Sequence, residues 1–175
     1  FARAFELFEQ AGDALGMRLA CCSVIAAVAN EMADASLMDP WIERVQRMAR
    51  EGLEGVPVDL QLQVMCTMVM AKTFRELQTE DDWPGRVLAL ISKSKDAGQR
   101  LFTLTLMHYH HAWRGEARAM GVLLEMAQEA ARLGEAAPVY WPVPSFIEAS
   151  YAWLIADHPR CLRAARRGLA LAEKP

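Results

Sequence analysis

Apolar residues recur along this chain every three to four positions, in blocks separated by Gly, Pro and Asp. From Phe1 to Ala11, the residues Phe1, Ala4, Phe5, Phe8 and Ala11 share one helical face, opposite Arg3, Glu6, Glu9 and Gln10. That is the 3.6-residue period of an amphipathic helix. Asp13 offers an N-cap for a long apolar helix to about Ala33, and Asp39 with Pro40 opens the next. There Trp41, Ile42, Val45, Met48 and Ala49 form a stripe that ends near Gly52, and Gly55-Val56-Pro57 breaks the pattern. A fourth helix, from about Asp59 to Leu77, is apolar nearly all round and so is expected to be buried on several sides.

The second half continues the pattern. Asp81-Asp82-Trp83-Pro84 caps a fifth helix to about Lys95, Gly98 separates it from a sixth ending at Trp113, and Glu116 to Leu133 is a seventh, stopped by Gly134. Pro138, Pro142 and Pro144 predict an extended stretch. Ser145 and Glu148 have capping-box spacing, predicting an eighth helix from there to Ala156, and Asp157-His158-Pro159 starts a ninth. No run alternates apolar and polar residues for long enough to read as a strand.

The blocks also repeat. Ala14-Leu15-Gly16-Met17-Arg18-Leu19-Ala20 returns as Asp96-Ala97-Gly98-Gln99-Arg100-Leu101-Phe102, 82 positions later. Asp39-Pro40-Trp41-Ile42-Glu43-Arg44-Val45 is echoed 42 positions on by Asp81-Asp82-Trp83-Pro84-Gly85-Arg86-Val87, and Ala112-Trp113 is echoed 40 on by Ala152-Trp153. A period of about 41 residues built of paired helices predicts an all-α solenoid, because single units cannot bury their apolar faces alone and must stack. The expectation is one domain over residues 1–175: a right-handed superhelix of antiparallel helical hairpins.

Composition narrows the role. At 53% hydrophobic and 23% charged, with a net charge of -3, the chain is globular and has no overall electrostatic footprint for nucleic acid. Cys21, Cys22, Cys66 and Cys161 match neither a disulfide framework nor a C-x-x-C metal spacing. They read as reduced core thiols, which favours the cytoplasm. No leader pattern opens the sequence, and charged or amide residues interrupt every apolar stretch before about 18 residues accumulate. No membrane contact is expected. A start at Phe1 inside a helical pattern reads as part of a larger protein, and apolar surface at either end of such a piece predicts self-association.

The paired helices, with an aromatic near the end of the first and an Ala-rich second, resemble divergent tetratricopeptide repeats. The period is longer than the usual 34 residues, and the full Trp, Leu-Gly, Tyr, Ala, Phe, Pro signature is absent. The longer unit is similar to the superhelical sensor arrays of the large bacterial ATP-dependent transcription regulators of the maltose-regulon-activator type. Glu6-Leu7-Phe8-Glu9-Gln10-Ala11-Gly12-Asp13-Ala14-Leu15-Gly16 and Gly168-Leu169-Ala170-Leu171-Ala172-Glu173 carry that likeness. It implies a bacterial sensor or scaffold array that binds an inducer or a regulatory protein and acts allosterically on effector domains outside this sequence. A generic protein-binding scaffold, or an array attached to a cyclase or kinase, are the alternatives. No G-x-x-x-x-G-K-[ST] loop occurs here, so the nucleotide chemistry of that group attaches to no residue of this chain.

Candidate chemistry is sparse. His108, His110 and His111 cluster around Tyr109, and His108 and His111 share a helix face, but no Asp, Glu or Cys at helical spacing completes a metal site. Arg160, Arg163, Arg166 and Arg167 make the last helix basic, most simply as a solvated face. No nucleophile elbow or dinucleotide fingerprint appears, so neither catalysis nor a cofactor is expected. The site expectation comes from superposing repeats. Setting Phe74 against Trp113 pairs Met68 with Met107, Lys72 with His111 and Arg75 with Arg114. These six would form a stripe on an inner, concave surface, suited to an anionic ligand or to a partner helix with acidic and apolar contacts. The alternative is that Met68 and Met107 are core packing.

Overall fold

The computed structural model describes residues 1–31, 34–50, 52–53, 55–75 and 82–173. Among them it is all-helical, with nine α-helices and no strand. The helices are α1 (Ala2–Ala11), α2 (Ala14–Asn30), α3 (Asp39–Arg50), α4 (Val58–Arg75), α5 (Trp83–Ile91), α6 (Ala97–Trp113), α7 (Ala117–Leu133), α8 (Val143–Leu154) and α9 (His158–Ala172). Short 3-10 turns at Ala35–Met38 and Pro138–Tyr140 precede α3 and α8. The chain divides into two compact units, Phe1–Leu90 and Ile91–Pro175. No helix among the described residues is long and apolar enough to cross a membrane.

In the first unit α2 packs against α1, α3 and α4, and α3 against α4. Its core joins Phe5, Cys21, Cys22, Ile25, Met38, Val45, Leu62 and Val69, all buried. Burial suppresses ionisation of the adjacent thiols: Cys21 is pushed up to about 12 and Cys22 to about 11. The nearly all-apolar α4 is buried at ten successive-turn positions from Leu60 to Ala71, as its composition predicts. Its two threonines satisfy themselves, with Thr67 Oγ1 donating to Gln63 O and Thr73 Oγ1 to Val69 O, each at 2.8 Å.

In the second unit α6 packs on α7, α7 on α8, α8 on α9, and α6 on α8. The contacts set directions. Gly134, just past α7, abuts Ala97 at the start of α6, Gly121 near the start of α7 faces the Tyr151 ring near the end of α8, and Gly168 of α9 meets Ser145 of α8. Each helix therefore runs antiparallel to the one before it, and α6 and α8 run the same way. Leu101, Leu104, Met107, Met120, Leu123, Ile147 and Ala164 fill the space between them.

The sequence echoes correspond to repeated contacts. In the first, Gly16 and Gly98 open two helices of 17 residues each, capped by Asp13 accepting from Gly16 N at 2.9 Å and by Asp96 accepting from Gln99 N at 3.1 Å. Both glycines lie against an aromatic ring, though from different places in the chain: a Cβ would stand 2.3 Å from Phe8 of the preceding α1 at Gly16, and 2.9 Å from Tyr140, in the later turn before α8, at Gly98. In the second echo, Arg44 stacks on Trp41 and Arg86 on Trp83, each 4.6 Å from the ring centroid. Arg44 also covers Phe5, whose ring meets Trp41 edge-on at 5.5 Å.

Three boundaries differ from expectation. The fifth helix ends at Ile91 rather than near Lys95, because Ser94 and Asp96 turn the chain and start α6. The stretch of prolines is not extended: Pro138 sits in a 3-10 turn and Pro144 in the first turn of α8, where a missing N–H and a fixed φ cost nothing. Ser145 is consequently inside α8 and buried, and the capping box with Glu148 does not form. Glu148 instead holds α9, accepting from Arg160 Nε at 2.9 Å and pairing with Arg167. The expected ends near Ala33 and Leu77, and the contribution of Asp81, lie outside the described residues.

Candidate functional site

The parallel pair α6 and α8 builds the most distinctive surface of the second unit. Phe102, Leu106, Tyr109 and Trp113 are spaced four, three and four apart and so share one side of α6, while Phe146, Ser150 and Trp153 share one side of α8. Five of these are exposed aromatics: Phe102 36%, Tyr109 42%, Trp113 57%, Phe146 38% and Trp153 65%. The two stripes meet where the Tyr109 and Phe146 rings lie 5.9 Å apart. None of the seven is Asp, Glu, Lys, Arg or His. At about 150–250 Å² per aromatic side chain, these exposures amount to roughly 500 Å² of apolar area.

Beneath this face lies His108. Its ring packs edge-on against Phe146 at 4.6 Å and Tyr109 at 5.4 Å, and it is 97% buried by its 3% residual exposure. Burial pushes its pKa down to about 4, so the imidazole is neutral at pH 7. Its Nδ1 has no hydrogen-bond partner among the described residues. The histidine thus serves the face as an aromatic-like support.

The six residues expected in a binding stripe are placed otherwise. Met68, Lys72 and Arg75 belong to α4 of the first unit, and Met107, His111 and Arg114 to the end of α6 in the second. Met68 and Met107 have no exposed surface, so they are packing residues and present no thioether to a ligand. Lys72 is half-buried. Arg75 grips Asp39 with both arms of its fork, Nε to Oδ1 at 2.7 Å and Nη2 to Oδ2 at 2.8 Å, which ties α4 to the start of α3. His111 and Arg114 are brought together, but by a carboxylate. His111 Nδ1 lies 2.6 Å from Glu116 Oε2, and Arg114 Nε donates to Glu116 Oε1 at 2.7 Å. For Glu116, burial works against ionisation, but the hydrogen bonds and charges of Arg114 and His111 outweigh it and lower its pKa. Three of the four basic groups thus already answer an acid, and they lock helix ends rather than await an anion.

Among the described residues no group of three or more His, Cys, Asp and Glu side chains is placed to hold a metal. Cys21, Cys22 and Cys66 are buried and Cys161 half-buried, all as free thiols. On α9, Arg160 and Arg167 are engaged by Glu148, leaving Arg163 and Arg166 on the solvated face.

The aromatic face was missed by residue-type reasoning because α6 reads as a buried, apolar helix. One signal for it did stand in the sequence. The Ala-Trp echo places Trp113 and Trp153 near the ends of α6 and α8, on the same exposed surface. The chain matches no family model, no curated protein and no solved structure.

Proposed function

We propose that this chain is a binding array of helical hairpins and that the α6–α8 face receives its partner. The observation that carries this reading is the exposure of five aromatic side chains on two parallel helices with no charge among them. Trp and Tyr dominate binding energy at interfaces when desolvated, and a patch of roughly 500 Å² is of the size that marks a functional surface on a monomer. The area falls short of the ~800 Å² per partner of a standard interface between folded domains. It suits one short element, the apolar stripe of a single amphipathic helix.

The wider setting is a sensor or scaffold array of a bacterial transcription regulator, on the strength of the phrases at Glu6–Gly16 and Gly168–Glu173. A right-handed superhelix is the arrangement in which such repeats stack. It is supported by the pattern within each unit, where helices pack on their sequence neighbours and on the next but one. A partner bound across α6 and α8 would favour the spacing of those helices that fits it best, and that preference is the allosteric signal.

The test compares proteins retained by the wild-type chain with those retained by a Trp113→Ser/Trp153→Ser variant and by an Arg163→Ala/Arg166→Ala control. Both tryptophans are exposed, so the fold should survive. A partner kept by wild type and control but lost by the tryptophan variant supports the reading. Identical retention by all three overturns it.

A further inference from the structure

Away from the aromatic face, and wholly within the second unit, the turn after α5 and the facing sides of α6 and α7 enclose an open depression. It has two adjoining lobes of about 270 and 280 Å³ that share Arg100, Ala130 and Leu133. Ile91, Leu104 and Met126 give the first lobe an apolar floor.

The charges around it are separated. Arg100 is fixed in place by main-chain carbonyls, Nε donating to Ser94 O at 2.7 Å and Nη2 to Ser92 O at 3.1 Å. Those bonds orient the guanidinium without neutralising it, and part of its fork stays unused. Glu129 lines the same lobe, yet among the described residues it forms no ion pair with Arg100 or any other cation. Lys95 adds a second cation on the far lobe. A carboxylate and a pre-oriented guanidinium that line one lobe without pairing, together with apolar side chains in the same lining, complement a ligand that carries both charges and a tail.

We infer that this depression binds a small zwitterion with an apolar tail, of the apolar α-amino-acid class. Its carboxylate meets Arg100 and Lys95, its ammonium meets Glu129, and its side chain lies on Ile91, Leu104 and Met126. Charge-assisted hydrogen bonds at both ends give the specificity, and the two adjoining lobes together, though neither alone, reach the volume of small-ligand sites. The inference stands or falls independently of the aromatic face.

The experiment uses the full chain carrying 13C-methyl methionine, with the Met126 signal assigned through Met126→Leu. The probes are L-leucine, isocaproate, which lacks the ammonium, and isoamylamine, which lacks the carboxylate. Leucine should shift the Met126 methyl saturably, and each single-charge analogue should bind about tenfold more weakly or worse. In Glu129→Gln, an exposed substitution with no packing role, leucine should weaken about tenfold while isocaproate holds or tightens. The inference is overturned if tens of millimolar leucine leave the Met126 methyl unmoved. It is equally overturned if isocaproate matches leucine, or if Glu129→Gln changes neither ligand.

Discussion

Acid should destabilise the second unit through one buried histidine. His108 has an ordinary pKa of 6.5 that burial lowers to about 4 in the folded chain. The unfolded state therefore binds a proton that the folded state refuses, so this contribution is intact above pH 6.5 and is lost as pH falls toward 4. At about 1.4 kcal/mol per pH unit, the full gap is worth about 3 kcal/mol, of which about 2 kcal/mol has gone by pH 5. The assay is urea unfolding at a series of pH values for the wild type and for His108→Leu, which keeps an apolar contact with Phe146 and removes the proton site. Other acid-sensitive groups act in both proteins and cancel in the difference. The variant should gain on the wild type by about 2 kcal/mol between pH 7.5 and pH 5. Parallel pH profiles, or a directly titrated His108 near 6.5, would refute the reasoning.

Other outcomes follow from contacts described above. Gly16→Ala sets a methyl 2.3 Å from the Phe8 ring, so that ring, or α1 with it, must move off α2; a loss of about 1–3 kcal/mol is expected in thermal or urea unfolding. Glu148→Ala leaves Arg160 and Arg167 without their shared acceptor, and the largely buried carboxylate makes a loss of about 1–3 kcal/mol the expected result, read as easier unfolding of the second unit. A thiol reagent at pH 8 should label Cys161 alone in the native chain, with Cys21, Cys22 and Cys66 reacting only in denaturant; prompt labelling of four thiols would contradict their burial.

Much of the fold was legible because it rests on local signals. The helical period, Asp13 and Asp96 as caps, and the apolar α4 each needed only neighbouring residues to be read. The errors fell where local preference meets packing. Pro142 and Pro144 satisfy either an extended stretch or a first helical turn, and only the burial of Ser145 and Ile147 selects the helix. The candidate site was harder. Repeat superposition paired Met68 with Met107, and both are buried, but a sequence pairing does not tell an inward face from an outward one. Arg75 and Arg114 looked available because their acids, Asp39 and Glu116, come from other elements or from across a turn.

The tryptophans are sorted by their surroundings. Trp83 is buried and Trp41 sits under the Arg44 guanidinium in the first unit, whereas Trp113, Trp141 and Trp153 of the second are 42–65% exposed. The chain therefore carries an intrinsic two-channel optical probe. Blue-shifted emission resistant to iodide reports on Phe1–Leu90, and red-shifted, quenchable emission reports on Ile91–Pro175. The melting of each unit, and the covering of the α6–α8 surface by whatever docks there, can be followed separately in one unlabelled sample.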